Sequence, residues 1–335
     1  MGNERKRRII TLKTGTFSPD LGMKVPTSAS EKYRNVFFCN LGVGRLQKSA
    51  PSVLFVRLKS ELEKNSHRRT LLKNAIKNAA EQIIRQRLSL SPIVPLPKDL
   101  APQTVTEGYA IQAALNMLLI DAGMGDPVGH KIGCTTPVMQ AFVNINHPCA
   151  GRIFSKTVMH EHGRVPRHGF VKIGMECEIA VRLSRDLPPQ SSPYTRETVA
   201  PAVAEVMAAI ELVDERYENY RTLGIPTLVA DDFFNAGCVL GKPVSEWHHL
   251  DLAALSGRAV VNDIEVGRGV GAMVLGHPLN ALAWLANAQA EHGLPGLKAG
   301  EFVMLGSVVE TQWLNAGDRV EIEISGLGSV KLDIL

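Results

Sequence analysis

Between residues 171 and 183 an apolar side chain stands at every odd position: Val171, Ile173, Met175, Cys177, Ile179, Val181 and Leu183. A period of two is that of a strand, and it sorts side chains onto opposite faces. The intervening positions include Gly174, Glu176, Glu178 and Ala180. Two carboxylates therefore project the same way from one strand, flanked by residues with almost no side chain. Like charges so placed repel unless water or a cation lies between them. A third acid, Glu211, interrupts another apolar run at 208–216. Alternate acids ordinarily mark the wet face of an antiparallel strand. The alternative is three carboxylates converging on a hard cation such as Mg2+ or Mn2+. Spacing alone leaves both readings open.

The remaining composition narrows the class. A chain of 335 residues has room for one large or two ordinary domains. With 45% hydrophobic and 21% charged residues it reads as soluble and globular. No apolar run approaches the roughly 18 residues that span a bilayer, so no membrane role is expected. Cys39, Cys134, Cys149, Cys177 and Cys238 are scattered without a C-x-x-C pair. That argues against a structural zinc site or a disulfide framework and suits a cytoplasmic location. The net charge of +4 is unevenly spread, with 15 Lys/Arg against 5 Asp/Glu in residues 1–70. No periodicity organises this basic segment. Residues 1–66 therefore read as a disordered basic extension with a short helix near 58–64. It lacks a secretory pattern. Only this arm hints at nucleic acid, and no nucleic-acid partner is expected.

Residues 67–335 divide into a helical part, 67–125, and a β-rich part, 126–335. Apolar spacing predicts a helix over 69–88, broken by Pro92, Pro95 and Pro97. A second helix starts near Thr106, with Thr104 and Glu107 as a capping box, and ends at Gly123. Strands are expected at 128–133, 170–184, 207–217, 237–241, 259–266, 302–310, 318–325 and 328–335. Helices are expected near 195–207 and 278–292. So many strands with so few helices between them argue against a doubly wound parallel sheet and for an α+β fold, a mixed β barrel or sandwich carrying a few helices. The glycine-rich run 267–271 reads as a turn, since it opens no helix that could cradle phosphate.

Five motifs, in order over residues 70–335, resemble one family. Gly129, Lys131, Ile132, Gly133 and Thr135 resemble the "GxKIGxT" signature of 2-oxopent-4-enoate (2-keto-4-pentenoate) hydratases, members of the fumarylacetoacetate hydrolase superfamily. Glu176, Glu178, Ile179 and Ala180 resemble the family's "xExEIA" strand, and residues 211–216 its "EIVDSR" strand. Residues 229–232 with 237–241 resemble "xADNxxxxxFVLG", and residues 317–320 with 326–330 the closing "GDxV…GLGxV".

The resemblance implies a mixed, highly curved β-roll or barrel of the fumarylacetoacetase C-terminal type, with N-terminal helices packed on it. It implies Glu176, Glu178 and Glu211 as ligands of Mg2+ or Mn2+, and Lys131 as the active-site lysine. Asp214 and Arg216 are expected to orient those ligands. Asp231, Asn235, Ser307 and Thr311 are expected to bind substrate. His160 and His162, in the loop before the E-x-E strand, are candidates for a base on a lid. Two departures stand out. Cys149 in Pro148–Gly151 replaces the acid of "PDFG", and residues 231–235, Asp-Asp-Phe-Phe-Asn, stand where hydratases carry "ADNAS". The expected activity is hydration of a 2-hydroxy-2,4-dienoate to a 4-hydroxy-2-oxo acid in aromatic catabolism, by a homo-oligomer acting on a small 2-oxo acid. Decarboxylation of an oxalocrotonate-type enedioate, C–C hydrolysis of an acylpyruvate, and a non-catalytic subunit are the alternatives.

Overall fold

Helix α1 (Pro51–Ser89) begins well before the expected Arg69. No glycine or proline interrupts residues 52–89, and Pro51 sits at the first turn, where its missing N–H is harmless. The computed structural model describes residues 51–142 and 145–335; the expectations placed on residues 1–50 lie outside them. The chain divides into two units, Met1–Lys64 and Asn65–Leu335. Of the first, residues 51–64 are helical.

Helix α2 (Val105–Leu119) starts at the expected cap. Thr104 Oγ1 accepts the Glu107 N–H at 3.2 Å. The Glu107 carboxylate reaches back one residue further than expected, to the Gln103 N–H at 2.7 Å. Ala79, Ala80 and Ile83 of α1 bury against Ile111, Leu115 and Leu119 of α2. The cluster is completed by Phe154 and Ala230, so these helices pack on the β-rich part.

The strands form two sheets. The larger contains β1 (Pro127–Gly133), β2 (Cys149–Phe154), β3 (Val158–His160), β5 (Ile173–Leu183), β6 (Val203–Asp214), β7 (Asn235–Leu240) and β10 (Phe302–Ser307). Their order is β2-β1-β10-β5-β6-β7-β3, and the two-residue β11 (Gln312–Trp313) adds to β5. This mixed sheet coils until β2 packs against β7, and among the described residues no ladder closes it into a barrel. The smaller sheet is β4-β13-β12-β8-β9, from β4 (His162–Val165), β8 (Ser256–Val261), β9 (Ile264–Val270), β12 (Arg319–Ile324) and β13 (Gly328–Ile334). Short helices α3 (Pro137–Phe142), α4 (Arg196–Val199) and α5 (Ile225–Ala230) and the longer α6 (Pro278–Glu291) complete the α+β architecture.

Three expectations are corrected. The helix expected over 195–207 stops at Val199; Pro201 ends it, and residues 203–207 already belong to β6. The strand expected over 259–266 is the hairpin of β8 and β9, turned by Asn262 and Asp263 with φ of 51° and 67°. Positive φ at both turn residues matches the twist of the flanking strands. The glycine-rich run expected as a turn is mostly β9 itself.

Both faces of β5 are buried. Ile173, Met175, Cys177, Ile179 and Val181 join the main core with Ile322, Ile324, Val330 and Leu332 of the smaller sheet. Ala180 joins Ile153, Met207, Ala209, Phe302 and Met304 in a second cluster on the concave side. Ile179 is fully buried between the sheets. Ile179→Ala is expected to destabilise the protein by roughly 2–5 kcal/mol, because the cavity cannot collapse between two sheets. Urea unfolding followed by far-ultraviolet circular dichroism measures this.

Candidate metal centre

The concave side of the larger sheet changes character along its strands. At one level Lys131, Met304, Ala180 and Met207 lie side by side across β1, β10, β5 and β6. One level on stand Glu178 and Ala209, and one further Glu176 faces Glu211 directly across β5 and β6. The apolar cluster thus plugs one end of the coil and the acids follow it. Glu178 and Glu211 are fully buried, while Glu176 is half-buried. The wet-face explanation fails for Glu178 and Glu211, and one oxygen from each of the three acids lies within 4.8 Å of the others.

Each acid is held through one oxygen. Glu178 Oε2 accepts the Gly306 N–H at 2.9 Å. That N–H is aimed by an irregularity in the β10 register between Met304 and Ser307, where Gly306 adopts φ +119°. Glu211 Oε1 takes the Lys131 ammonium at 3.1 Å and the Asn235 side-chain amide at 3.2 Å. Glu176 Oε1 accepts the Thr311 hydroxyl at 2.5 Å. Glu178 Oε1 and Glu211 Oε2 are buried without any partner. Two orphaned, buried carboxylate oxygens in a cluster of three acids fit a hard divalent cation.

Electrostatics point the same way. Burial, reinforced by Glu211 and Glu176, pushes Glu178 well above the carboxylate range. Burial raises Glu211 to about 7; Glu176 adds to this and Lys131 opposes it. For Lys131 burial acts downward, but Glu211, Glu176 and Glu178 outweigh it and hold the ammonium above its ordinary value.

Other expected residues take positions around this centre. Arg216 donates to Asp231 Oδ2 at 2.8 Å and to the Asn235 carbonyl at 3.0 Å. It therefore bears on Glu211 through Asn235. Asp214 accepts the backbone N–H groups of Lys172 and Val171, at 2.7 and 3.3 Å, and so ties down the approach to β5. Asp231, expected to meet substrate, is instead engaged by Arg216 and by Arg87 of α1, the latter at 3.3 Å. Ser307 donates to the Val309 and Cys177 carbonyls at 2.6 and 3.3 Å, securing the turn after β10. The histidines are not brought to the acids. His160 is exposed on edge strand β3, and His162 lies on β4 of the other sheet, bonded to Asp333 at 3.0 Å. Cys149 is paired in register with Gly133 and fully buried, and burial pushes its thiol well above the ordinary range. Sequence reasoning had no signal for Arg87 or for the Gly306 N–H, which meet their partners across 145 and 128 positions of chain.

Comparison with known proteins agrees with this geometry. The family model described as fumarylacetoacetate (FAA) hydrolase C-terminal matches residues 143–335. The chain is 33% identical over 267 residues to a 2-hydroxyhexa-2,4-dienoate hydratase of Comamonas testosteroni, covering 78% of this chain and 97% of that one. It is 33% identical over 258 residues to a 2-keto-4-pentenoate hydratase of Burkholderia vietnamiensis, covering 77% and 97%. Among solved structures, the 4-oxalocrotonate decarboxylase from Pseudomonas putida G7, complexed with magnesium and adipate, matches with a TM-score of 0.73. That match has 27% identity and covers 78% of this chain and 98% of that one.

A carboxyl whose folded-state pKa lies above its unfolded value favours the folded state while protonated. That contribution is lost as pH rises from about 4.5 through about 7, the window set by Glu211. The metal-free protein is therefore expected to lose thermal stability across this window. Saturating Mg2+ should raise Tm more at pH 8 than at pH 5, and Glu211→Gln should flatten both effects. Scanning calorimetry checks this, and an equal Mg2+ shift at both pH values would count against a cation among these acids.

Proposed function

The chain belongs to the 2-keto-4-pentenoate hydratase family of the fumarylacetoacetate hydrolase superfamily, and from that premise we propose that it is a divalent-metal-dependent hydro-lyase. It would add water to a 2-hydroxy-2,4-dienoate and yield a 4-hydroxy-2-oxo acid. The observation that carries this reading is the set of two orphaned carboxylate oxygens beside a buried lysine. The hydratase relatives supply the reaction type, and the magnesium of the decarboxylase supports Mg2+ or Mn2+ as the ion.

In this reading Glu176, Glu178 and Glu211 hold the cation. If bound there, it would supply Lewis-acid polarisation to the 2-oxo acid. The reaction balances in two proton movements. The enol proton leaves O2 as a proton arrives at C5, which makes C4 electrophilic. Water then delivers hydroxyl to C4 and a proton to C3. Lys131 would hold the substrate carboxylate or carry a proton, a role its ammonium beside Glu211 Oε1 supports. Gly306, Asn235 and Thr311 keep the three carboxylates aimed at their shared point. Water activation is assigned to neither His160 nor His162, since both stand apart from the acids. The reading includes a cytoplasmic, self-associating protein; among the described residues no helix is long and apolar enough to cross a membrane.

A second reading is decarboxylation of an oxalocrotonate-type enedioate, favoured by the likeness to the P. putida decarboxylase over nearly its whole length. One assay separates the two. Ultraviolet loss of 2-hydroxypenta-2,4-dienoate is expected with Mg2+ and not with chelator, with a product heavier by one water. Turnover of the enedioate alone, with release of carbon dioxide, would select the second reading. Lys131→Met is expected to lower kcat/KM by about 10²–10⁴, the usual worth of a positioned proton carrier, with an unchanged circular dichroism spectrum.

A further inference from the structure

Away from the acids the protein holds a cavity of about 290 Å3. Side chains alternate along β1, so His130 points away from the side on which Lys131 stands. Arg152 is the cross-strand partner of His130 on β2. The cavity lies on their side of the sheet and is bounded by Gln112 and Asn116 of α2 and by Gln289 of α6. Its volume is at the lower end of the roughly 300–1,000 Å3 usual for small-molecule pockets.

Its charges are already spent. Arg152 donates to Glu301 Oε1 at 2.9 Å and to the His130 ring. Lys298 donates to Asp186 at 2.9 Å. Burial and the Arg152 guanidinium hold His130 down at about 4, against the pull of Glu301, so the ring is neutral at pH 7. Arg152 and Lys298 are thus each matched by one acid. An entering ion would be desolvated without a partner or would have to split a pair, and both are costly.

Its carboxamides are not spent. Gln112 gives Nε2 to the Ala150 and Val229 carbonyls at 2.9 and 2.7 Å, which leaves Oε1 to accept. Asn116 Oδ1 is buried without a partner. Gln289 lines the cavity at 6% exposure, and no hydrogen bond among the described residues engages its amide. Buried polar groups ordinarily find partners. Tyr109 adds an aromatic wall, its hydroxyl accepting the Ala150 N–H at 3.0 Å.

We infer that this cavity is a second ligand site, separate from the carboxylate centre, for a neutral polyhydroxylated molecule no larger than a pentose. Neutrality follows from the paired charges, and size from the volume. A hydroxyl both donates and accepts, so it satisfies a carboxamide oxygen and a carboxamide NH2 alike.

Saturation-transfer NMR with D-xylose tests this, with acetamide and succinate as the amide and anionic probes. D-xylose is expected to bind more tightly than either, equally with Mg2+ and with chelator. Gln289→Met keeps the bulk and removes the amide, and should weaken D-xylose binding by about two- to tenfold, the worth of one hydrogen bond. Ala113 borders the cavity from an exposed position on α2, so Ala113→Trp should fill the space and abolish binding. If Gln289→Met does not fold, Ala113→Trp decides alone. No transfer to D-xylose, preference for acetamide or succinate, a requirement for Mg2+, or full binding in the folded variants overturns the inference. The proposed function stands under each of these outcomes.

Discussion

Three carboxylates lie closer together than their charges permit. At separations within 4.8 Å and an effective dielectric near 20, each pair repels by about 3–4 kcal/mol when ionised. Lys131 supplies one positive charge against three negative ones, and among the described residues it is the cation in contact with the group. The remaining charge of about −2 equals the charge of one divalent ion in magnitude. Gly306, Asn235 and Thr311 each satisfy one oxygen of one acid. These contacts fix direction without cancelling charge. Glu178 Oε1 and Glu211 Oε2 are left bare toward each other's neighbourhood, so the protein prepares a site it does not itself neutralise.

The coil of the sheet follows from the same requirement. Lys131 is on β1 and Glu211 on β6, with β10 and β5 between them. In a flat sheet three strand spacings would separate them by roughly 14 Å. The ammonium nevertheless stands 3.1 Å from the carboxylate. Curvature of that degree crowds the inside, and the inside is furnished accordingly. Gly133, Gly174, Ala180 and Ala209 face the concave side, while Ile173, Met175, Ile179 and Ile210 fill the convex side against the second sheet. Small residues beside the acids are thus part of the steric condition for bringing distant strands together.

Much of this was legible from local pattern. The period-two run announced β5 and the shared direction of Glu176 and Glu178, because side-chain alternation is a property of the strand alone. The motif resemblance placed Glu211 and Lys131 with them. What sequence could not show was register and reach. That Glu176 faces Glu211 depends on how β5 and β6 pair. That Asp231 and Asp232 both serve Arg87 depends on a helix that lies 145 positions before Asp232. The Asn262–Asp263 turn escaped because neither residue is glycine, although both adopt positive φ. The histidines drew notice by their nearness in sequence to the E-x-E strand, and the chain then carries them to an edge strand and a different sheet.

The loop at 231–235 shows how a strained backbone is held beside the acids. Three left-handed residues cost about 1–3 kcal/mol each, and nothing local repays them. The compensation is a buried network in which two arginines face two aspartates, so that its formal charges cancel. Loss of any one partner would strand a desolvated charge, a penalty of about 3–5 kcal/mol, and would release the strain as well. Among the described residues Asn235 links this network to the acids, joining the Arg216 fork to Glu211. The same network holds the Phe233 ring 5.2 Å from the Lys131 ammonium, and Arg87 makes helix α1 part of that support.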